Sequence, residues 1–307
     1  MNDNYQGEAM ILALGFFDGV HLGHLSLLGE AVRIGKEKKY KTGVMTFSAH
    51  PLELIFPNYT PWLITTNDEK RRMIHAAGID YVFLNAFNER LMKLSPEKFV
   101  TDYLLKRYNI KGLVVGYNYN FGYKATGTTN TLIELGRIYD FNVTIVPPCV
   151  IDKHPVSSTF IRELISCGQV EEVKTYLGRY YQLSGQVIRG KGLGHQFGIP
   201  TANIKLDKKR ILPNTGVYFT KVTYQGKSYD GLTNLGFNPT FEKHPFSIET
   251  YIYDFDDEIY GHELSLQFIR KVRNEIKFDN IEDLIAQIRS DIVLIDEKFR
   301  HRVDWQV

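Results

Sequence analysis

Residues 10–24, M-I-L-A-L-G-F-F-D-G-V-H-L-G-H, decide how the first half of the chain is read. The apolar run 10–16 suits a strand buried on both faces. Residues 22–38 follow as an amphipathic helix, with Leu25, Leu28, Ala31 and Val32 at spacings of three and four. Between strand and helix, Gly15 and Gly19 permit a tight turn and a close backbone approach to a ligand. The helix start offers unpaired N–H groups and the positive end of its dipole, which suits phosphate. His21 and His24, three apart, project to one side and can donate to phosphate oxygens as negative charge builds up. A lone histidine at a helix start is usually a cap or a packing residue, and a pair at this spacing also suits a metal. No cysteine or third histidine lies near in sequence, and glycine turn, Asp18 and H-x-G-H coincide at one junction.

Outward from this junction, strands and helices alternate. Strands are expected at 42–47, 81–84, 112–116 and 143–146, and helices at 68–77, 96–108 and 129–139. That order implies βαβ units and a parallel sheet covered on both faces. Two further helices, 158–166 and 170–177, close the first domain. After Tyr181 the pattern changes to apolar–polar alternation at 182–188, 216–224, 227–234, 248–255 and 263–272, separated by Gly, Asn and Pro. This is the pattern of antiparallel strands in a small barrel or sandwich. One helix, 281–299, ends the chain. Domains are therefore expected at 1–181 and 182–307.

Composition narrows the class. The chain has 307 residues, and its 37 basic and 35 acidic residues leave a net charge of +2, so overall charge advertises neither nucleic acid nor membrane. Cys149 and Cys167 stand far from any C-x-x-C spacing, which argues against a thiolate zinc site and for a reducing compartment. The first residues lack a basic stretch, and the apolar run is too short to span a bilayer, so a cytoplasmic protein is expected. Oligomeric state is not written in the sequence.

The string F-D-G-V-H-L-G-H resembles the H-x-G-H signature of the nucleotidyltransferase superfamily, in the form found in prokaryotic bifunctional riboflavin kinase/FMN adenylyltransferases (FAD synthetases). Further segments match in order. T-F-S-A-H-P at 46–51 resembles the family's T-F-x-P-H-P, Phe87 and Asn88 form its F-N pair, and G-Y-N-Y-N-F-G at 116–122 resembles its G-x-[DN]-F-x-F-G. S-S-T-F-I-R at 157–162 is similar to its S-S-T-x-I-R. Alone, such a serine–threonine run is most often a helix cap. With Arg162 one turn later it can also offer hydroxyls and a guanidinium fork to a triphosphate. The resemblance implies a Rossmann-like first domain with His21 and His24 catalytic. It implies ATP contacts at Gly15, Phe17, Asp18, Gly19, Ser157, Ser158, Thr159 and Arg162, and FMN contacts at His50, Pro51, Asn118 and Phe121. Phe16 stands where asparagine is common in the family.

In the second half, R-G-K-G-L-G-H-Q-F-G-I-P-T-A-N at 189–203 is a weak signal in its glycines and a specific one in its ending. G-I-P-T-A-N resembles the G-[FI]-P-T-A-N motif of riboflavin kinases, whose Thr and Asn hold Mg²⁺ and nucleotide phosphate. Thr201 and Asn203 supply neutral, hard oxygen donors of the kind Mg²⁺ accepts beside water and phosphate. P-N-T-G-V-Y at 213–218, N-L-G-F-N-P-T at 234–240 and the pair Glu249–Thr250 continue the match. The resemblance implies an antiparallel barrel with a C-terminal helix, and Glu249 as general base. It also implies ATP and flavin contacts at Gly190, Gly192, Gly194, Pro200, Asn234 and Arg273. An isolated strand glutamate is ordinarily solvated or paired. His195 replaces the family's usual arginine, and residues 208–210 read as a solvated basic loop.

Taken over nearly the whole chain, the resemblance implies an enzyme that phosphorylates riboflavin to FMN and adenylylates FMN to FAD, with ATP and Mg²⁺. The rivals are an adenylyltransferase with a weak kinase half, and a flavin-binding regulator without turnover.

Overall fold

A computed structural model describes residues 5–56, 58, 61–190, 197–206, 209–237 and 246–300. The chain divides into two compact units, Met1–Ser158 and Thr159–Val307. The first unit contains the strands β1 (Met10–Leu14), β2 (Lys41–Phe47), β3 (Tyr81–Asn85), β4 (Ile110–Gly116) and β5 (Asn142–Val146). They form one sheet in the order β3-β2-β1-β4-β5, with every neighbouring pair parallel.

The apolar run is explained by its place. β1 is the central strand, and alternation sends Met10, Leu12 and Leu14 into the core on one face and Ile11 and Ala13 into the core on the other. Helix α1 spans Leu22–Lys38 as expected, burying Leu28 and Ala31 fully while Leu25 and Val32 pack at the margin of the same core. It ends where Lys39 turns left-handed at φ 57°. Helices α2 (Pro51–Ile55), α3 (Asn67–Ala76), α4 (Glu89–Met92), α5 (Pro96–Lys98) and α6 (Thr129–Tyr139) complete the connections. The expected helix 96–108 is α-helical only to Lys98, then widens into π-helical turns over Phe99–Leu105. Widening places Phe99 and Leu104, five residues apart, in the same core cluster. The expected strand 10–16 stops at Leu14, because Gly15 opens the turn and Phe17 is left-handed at φ 56°. A hairpin of β6 (Val150–Ile151) and β7 (His154–Pro155) precedes α7 (Ser158–Ser166).

The second unit holds α8 (Val170–Leu177), β8 (Tyr181–Ile188), β9 (Thr201–Lys205), β10 (Gly216–Tyr224), β11 (Lys227–Gly236), β12 (Ser247–Ile252), β13 (Glu263–Arg273) and α9 (Ile281–Ile295). The strands close into a barrel, β10-β11-β12-β9-β8-β13, in which adjacent strands are antiparallel. Of the two architectures open from alternation, barrel and sandwich, the barrel is the one formed. Sequence periodicity showed five strands; the sixth, β9, is the five-residue segment T-A-N-I-K that closes the barrel between β12 and β8. Its single fully buried residue, Ile204, leaves too little alternation to be read as a strand. Arg210 corrects a second expectation. Instead of lying in a solvated loop it is 4% exposed, its Nη2 donating to the Gln182 carbonyl at 2.8 Å. The planar guanidinium can satisfy strand backbone while its stem stays dry, which composition does not reveal. Helix α8 packs with the barrel, where Glu171 accepts from the Lys271 backbone at 3.3 Å and pairs with Arg270 at 3.5 Å.

Three buried hydroxyls cross the barrel interior: Thr220 to Thr233 at 2.8 Å and Thr233 to Thr250 at 2.9 Å. All three residues are 0% exposed. Thr233→Val keeps the shape but leaves two dry hydroxyls short of a partner, so it is expected to cost about 1–3 kcal/mol. Replacing all three threonines by valine is expected to cost less than the sum of the single changes. Calorimetric unfolding of the full chain measures both.

Candidate active sites

Parallel strands bring their carboxyl ends to one edge, and the order β3-β2-β1-β4-β5 reverses direction at β1. Ligands of open α/β sheets bind at such a switch point. The segments singled out in the sequence follow these ends: 15–24 after β1, 48–51 after β2, Phe87 and Asn88 after β3, and Tyr117–Gly122 after β4.

The 15–24 junction is held in an uncommon conformation. Phe17, Gly19 and Val20 have φ of 56°, 81° and 38°. Left-handed backbone is costly for a β-branched or bulky residue and persists only where the surroundings fix it. Asp18 does the fixing. It is 2% exposed, and its carboxylate accepts from Ile64 N at 3.0 Å, Thr65 N at 3.1 Å and the Thr65 hydroxyl at 3.2 Å. The Thr65 oxygen in turn accepts from Gly19 N at 3.0 Å, and the Asp18 carbonyl accepts from the Ser158 hydroxyl at 2.9 Å. A Cβ on Gly19 would meet the Ile64 side chain at 3.1 Å on a backbone that already favours glycine. The Asp18 carboxylate therefore faces protein donors and organises the loop.

His21 is the N-cap of α1, its Nδ1 accepting from His24 N at 3.2 Å. That bond leaves the proton of a neutral His21 on Nε2, which makes Nε2 a donor. The His24 ring stacks on His21, centroids 3.6 Å apart at 14°, and Phe17 lies 5.1 Å from His24. A Cβ on Gly23 would approach the His21 ring to 3.2 Å, which explains the glycine of H-x-G-H. No acidic side chain occupies the first turn of the 17-residue α1, so its positive end faces no carboxylate from its own helix.

The neighbouring loops carry the other residues. His50 caps α2, its Nδ1 accepting from Leu52 N at 3.2 Å, and its ring meets Phe16 edge-on at 4.6 Å. Pro51 opens that helix. Asn118 lies in the turn after β4, and its carbonyl accepts from the Asn120 amide at 3.0 Å. Phe121 is 6% exposed, stacked on Tyr119 at 5.8 Å and tilted against Phe99 at 5.6 Å, so it packs the loop from inside. Asn88 caps α4 through Leu91 N at 3.0 Å, and Phe87 packs edge-on against Phe47 at 5.2 Å. Ser157 and Ser158 end the first unit; Thr159 and Arg162 follow on α7, one turn apart.

Two contributors escaped the sequence reading. Thr65 supports Asp18, and Lys70, 3% exposed on α3, donates to the Phe16 carbonyl at 3.2 Å. A detectable signal existed for Lys70. The run T-N-D-E is a capping box, realised by Thr66 and Glu69, and a lysine directly after it opposes the helix dipole.

In the barrel, strand register assembles the second set. Asn203 of β9 stands opposite Glu249 of β12, Glu249 opposite Asn234 of β11, Asn234 opposite Val217 of β10, and Val217 opposite Arg273 of β13. Four residues singled out from separate motifs thus share one rung, where directly opposite side chains stand about 5 Å apart at Cβ. Ile248, Thr250 and Ile252 are buried on one side of β12, which sends Ser247, Glu249 and Tyr251 to the other. Glu249 accepts from the Ser247 hydroxyl at 3.1 Å. Thr201, two residues before Asn203, lies on the same side and stands opposite Tyr251. A Cβ on Gly190 would fall 2.3 Å from the Asn203 side-chain nitrogen, so that glycine makes room for the amide. Pro200 leads into β9 from an exposed position. Arg273 is engaged with Asp291 of α9, Nε to Oδ2 at 2.8 Å and Nη2 to Oδ2 at 2.7 Å, while Gln287 donates to the other carboxylate oxygen at 2.8 Å. It ties the last helix to the rung. Gly192, Gly194, His195, Lys208 and the 238–240 end of the Asn234 motif lie outside the described residues. Among the described residues, no group of three or more His, Cys, Asp or Glu is placed to hold a metal ion.

Comparison with known proteins matches each half of the chain to a family. A family model described as FAD synthetase matches residues 3–160, and one described as riboflavin kinase matches residues 177–299. The bifunctional riboflavin kinase/FMN adenylyltransferase of Listeria monocytogenes is 36% identical over 294 residues, covering 94% of this chain and 92% of the relative. Proteins of the same name from Bacillus subtilis and Escherichia coli K12 are 36% and 32% identical, covering 92% and 95% of this chain and 90% and 93% of their own lengths. A crystal structure titled as a macrolide-efflux protein from Streptococcus pneumoniae superposes with a TM-score of 0.88 at 30% identity, over 97% of this chain and 96% of that one. No helix among the described residues is long and apolar enough to cross a membrane. With its switch-point loop in the FAD synthetase part and its barrel rung in the riboflavin kinase part, this chain belongs to the bifunctional riboflavin kinase/FMN adenylyltransferase family.

Proposed function

We propose that the chain makes FAD in two ATP-dependent steps, phosphorylating riboflavin to FMN on the barrel and joining FMN to the AMP part of a second ATP on the α/β unit. The observation that carries this reading is that each ordered motif set converges on one built place: the strand ends around β1, and the rung Asn203–Glu249–Asn234. ATP as the shared co-substrate also supports a cytoplasmic setting.

In the kinase step the ribityl 5′-hydroxyl oxygen bonds to the γ-phosphorus, the β–γ bridge breaks, and ADP leaves. Glu249 takes the hydroxyl proton, flanked by the amides of Asn203 and Asn234. Thr201 and Asn203 fit Mg²⁺, as neutral oxygen donors two residues apart on one side of β9, with Gly190 making room for the Asn203 amide. Bound there, Mg²⁺ would neutralise charge on the transferring phosphate. Gly192 and Gly194 are assigned to the phosphate loop in this reading, and Arg273 ties α9 to the rung.

In the adenylyl step a phosphate oxygen of FMN bonds to the α-phosphorus of ATP, the α–β bridge breaks, and pyrophosphate leaves. His21 Nε2–H and the His24 imidazole donate to phosphate oxygens at the open end of α1, where a fixed donor set lowers the barrier without reorganisation. Gly15, Phe17 and Gly19 shape the turn, and Asp18 holds it. Ser157, Ser158, Thr159 and Arg162 are assigned to the triphosphate. His50, Pro51 and Asn118 are assigned to FMN, with Phe121 supporting the Asn118 loop from beneath.

Supplying riboflavin, ATP and Mg²⁺ and resolving the flavins by chromatography tests the whole reading: FAD is expected. FMN as the final product removes the adenylyl step. FAD from supplied FMN, with nothing made from riboflavin, removes the kinase. Flavin binding without any product favours the regulator. His24→Ala is expected to slow FAD formation by about 10²–10³ while FMN accumulates; undiminished FAD output removes His24 from the transition state. Glu249→Ala is expected to slow FMN formation by about 10²–10⁴ while supplied FMN is still converted to FAD; normal FMN formation excludes Glu249 as base.

A further inference from the structure

Lys70 has no part in the chemistry assigned above, yet it is 3% exposed and stands behind the 15–24 junction. From the opening turn of α3 its Nζ donates to the carbonyls of Phe16 at 3.2 Å and Phe47 at 3.1 Å, and to the Thr46 hydroxyl at 3.4 Å. These partners lie at the carboxyl ends of β1 and β2, so the ammonium bridges two strand ends at the switch point. The same Nζ is 4.4 Å from the centroid of the Phe16 ring, which meets His50. Every one of these partners is uncharged. The carboxylate of Asp18 acts on Lys70 through space, but its hydrogen bonds go to Ile64 and Thr65.

Joining two strand ends needs donors and no net charge. A desolvated ammonium held only by neutral oxygens is costly, and the cost falls when an anion arrives nearby. A triphosphate entering at the start of α1 is such an anion. We infer that Lys70 is a positioning residue of the adenylyl-transfer site, holding a buried positive charge behind the 15–24 loop that strengthens binding of the ATP triphosphate. The inference rests on the adenylyl-transfer reading of this site. The other titratable groups on the elements that Lys70 bridges are Asp18, His21 and His24 at the β1–α1 junction, Lys41 at the far end of β2 and His50 after it, and Asp68, Glu69, Arg71, Arg72 and His75 on α3. Of these, Glu69 is bound into the capping box with Thr66.

Burial pushes the Lys70 ammonium down to about 8, with Asp18 acting in the opposite sense. In the ligand-free protein it is therefore charged below that pH and neutral above it. By reciprocity, a ligand that binds the charged form better must raise the titration midpoint by the same free energy.

The test uses the full chain, with FMN saturating and ATP varied across the neutral-to-alkaline range. In the unsubstituted protein, kcat/KM for ATP is expected to fall above pH about 8. Lys70→Met, of similar length and without charge, is expected to raise KM for ATP about tenfold, to change kcat little, and to lose that alkaline fall. FMN formation from riboflavin in the same samples is expected to stay unchanged. An unchanged KM for ATP, or an alkaline fall that survives Lys70→Met, overturns the inference and leaves Lys70 a strut. If the unsubstituted chain forms no FAD from FMN, the adenylyl-transfer reading itself fails, which is a separate result. Where Lys70→Met does not fold, the unsubstituted chain labelled at its lysine ε-carbons gives the answer by NMR. ATP is expected to raise the Lys70 midpoint by about one pH unit, the equivalent of tenfold in affinity. A midpoint that ATP leaves in place overturns the inference.

Discussion

The carboxylate of Asp18 is the interaction on which the shape of the 15–24 junction depends. It gathers the Ile64 and Thr65 backbone donors and the Thr65 hydroxyl, and through that hydroxyl it reaches Gly19. Only a loop held this firmly keeps Phe17 and Val20 at positive φ next to a helix start. The payoff is local. The chain arrives at His21 in the extended conformation an N-cap needs, with φ −75° and ψ 172°, and the cap aligns the two imidazoles. Asp18 thus anchors the turn that presents the H-x-G-H histidines.

The two units gather their motif residues with different backbone logic. A parallel sheet gathers loops at the carboxyl ends of its strands, so the groups come from segments spread between β1 and β4. An antiparallel barrel gathers side chains by register, so Asn203, Glu249 and Asn234 become neighbours because β9, β12 and β11 are neighbours. The barrel's own stability comes from its other face. There, Tyr218, Phe268 and Leu266 fill the interior around the three threonine hydroxyls. The outward face of Val217, Phe219 and Leu232 is covered by Ile292 and Ile295 of α9. Arg273 links this cover to the rung through Asp291, so the last helix and the site are mechanically one piece.

Much of this was legible in the sequence because period and burial agree. α1, α6, α7, α8 and β10 run over the very residues their periodicity marked, since each has one apolar face and a clear stop. β9 was not legible, because five residues with one buried side chain carry no period. Arg210 and Lys70 were misread or passed over for a shared reason. A long cationic side chain reads as solvent-facing, and only the fold shows that backbone carbonyls wait for it indoors. Asp18 and Phe121 illustrate the converse limit. Motif membership points to a loop, but only the fold shows which protein groups each side chain there contacts.

The two proposed steps transfer the γ-phosphorus of one ATP and the α-phosphorus of another to the same flavin. Following radiolabel tests them most directly. Riboflavin is incubated with the full chain, Mg²⁺ and ATP labelled at either the γ- or the α-phosphorus, and FMN and FAD are then separated. γ-Label is expected to enter FMN and persist in FAD, while α-label appears in FAD and never in FMN. FAD that lacks γ-label, or FMN that carries α-label, would contradict the proposed steps.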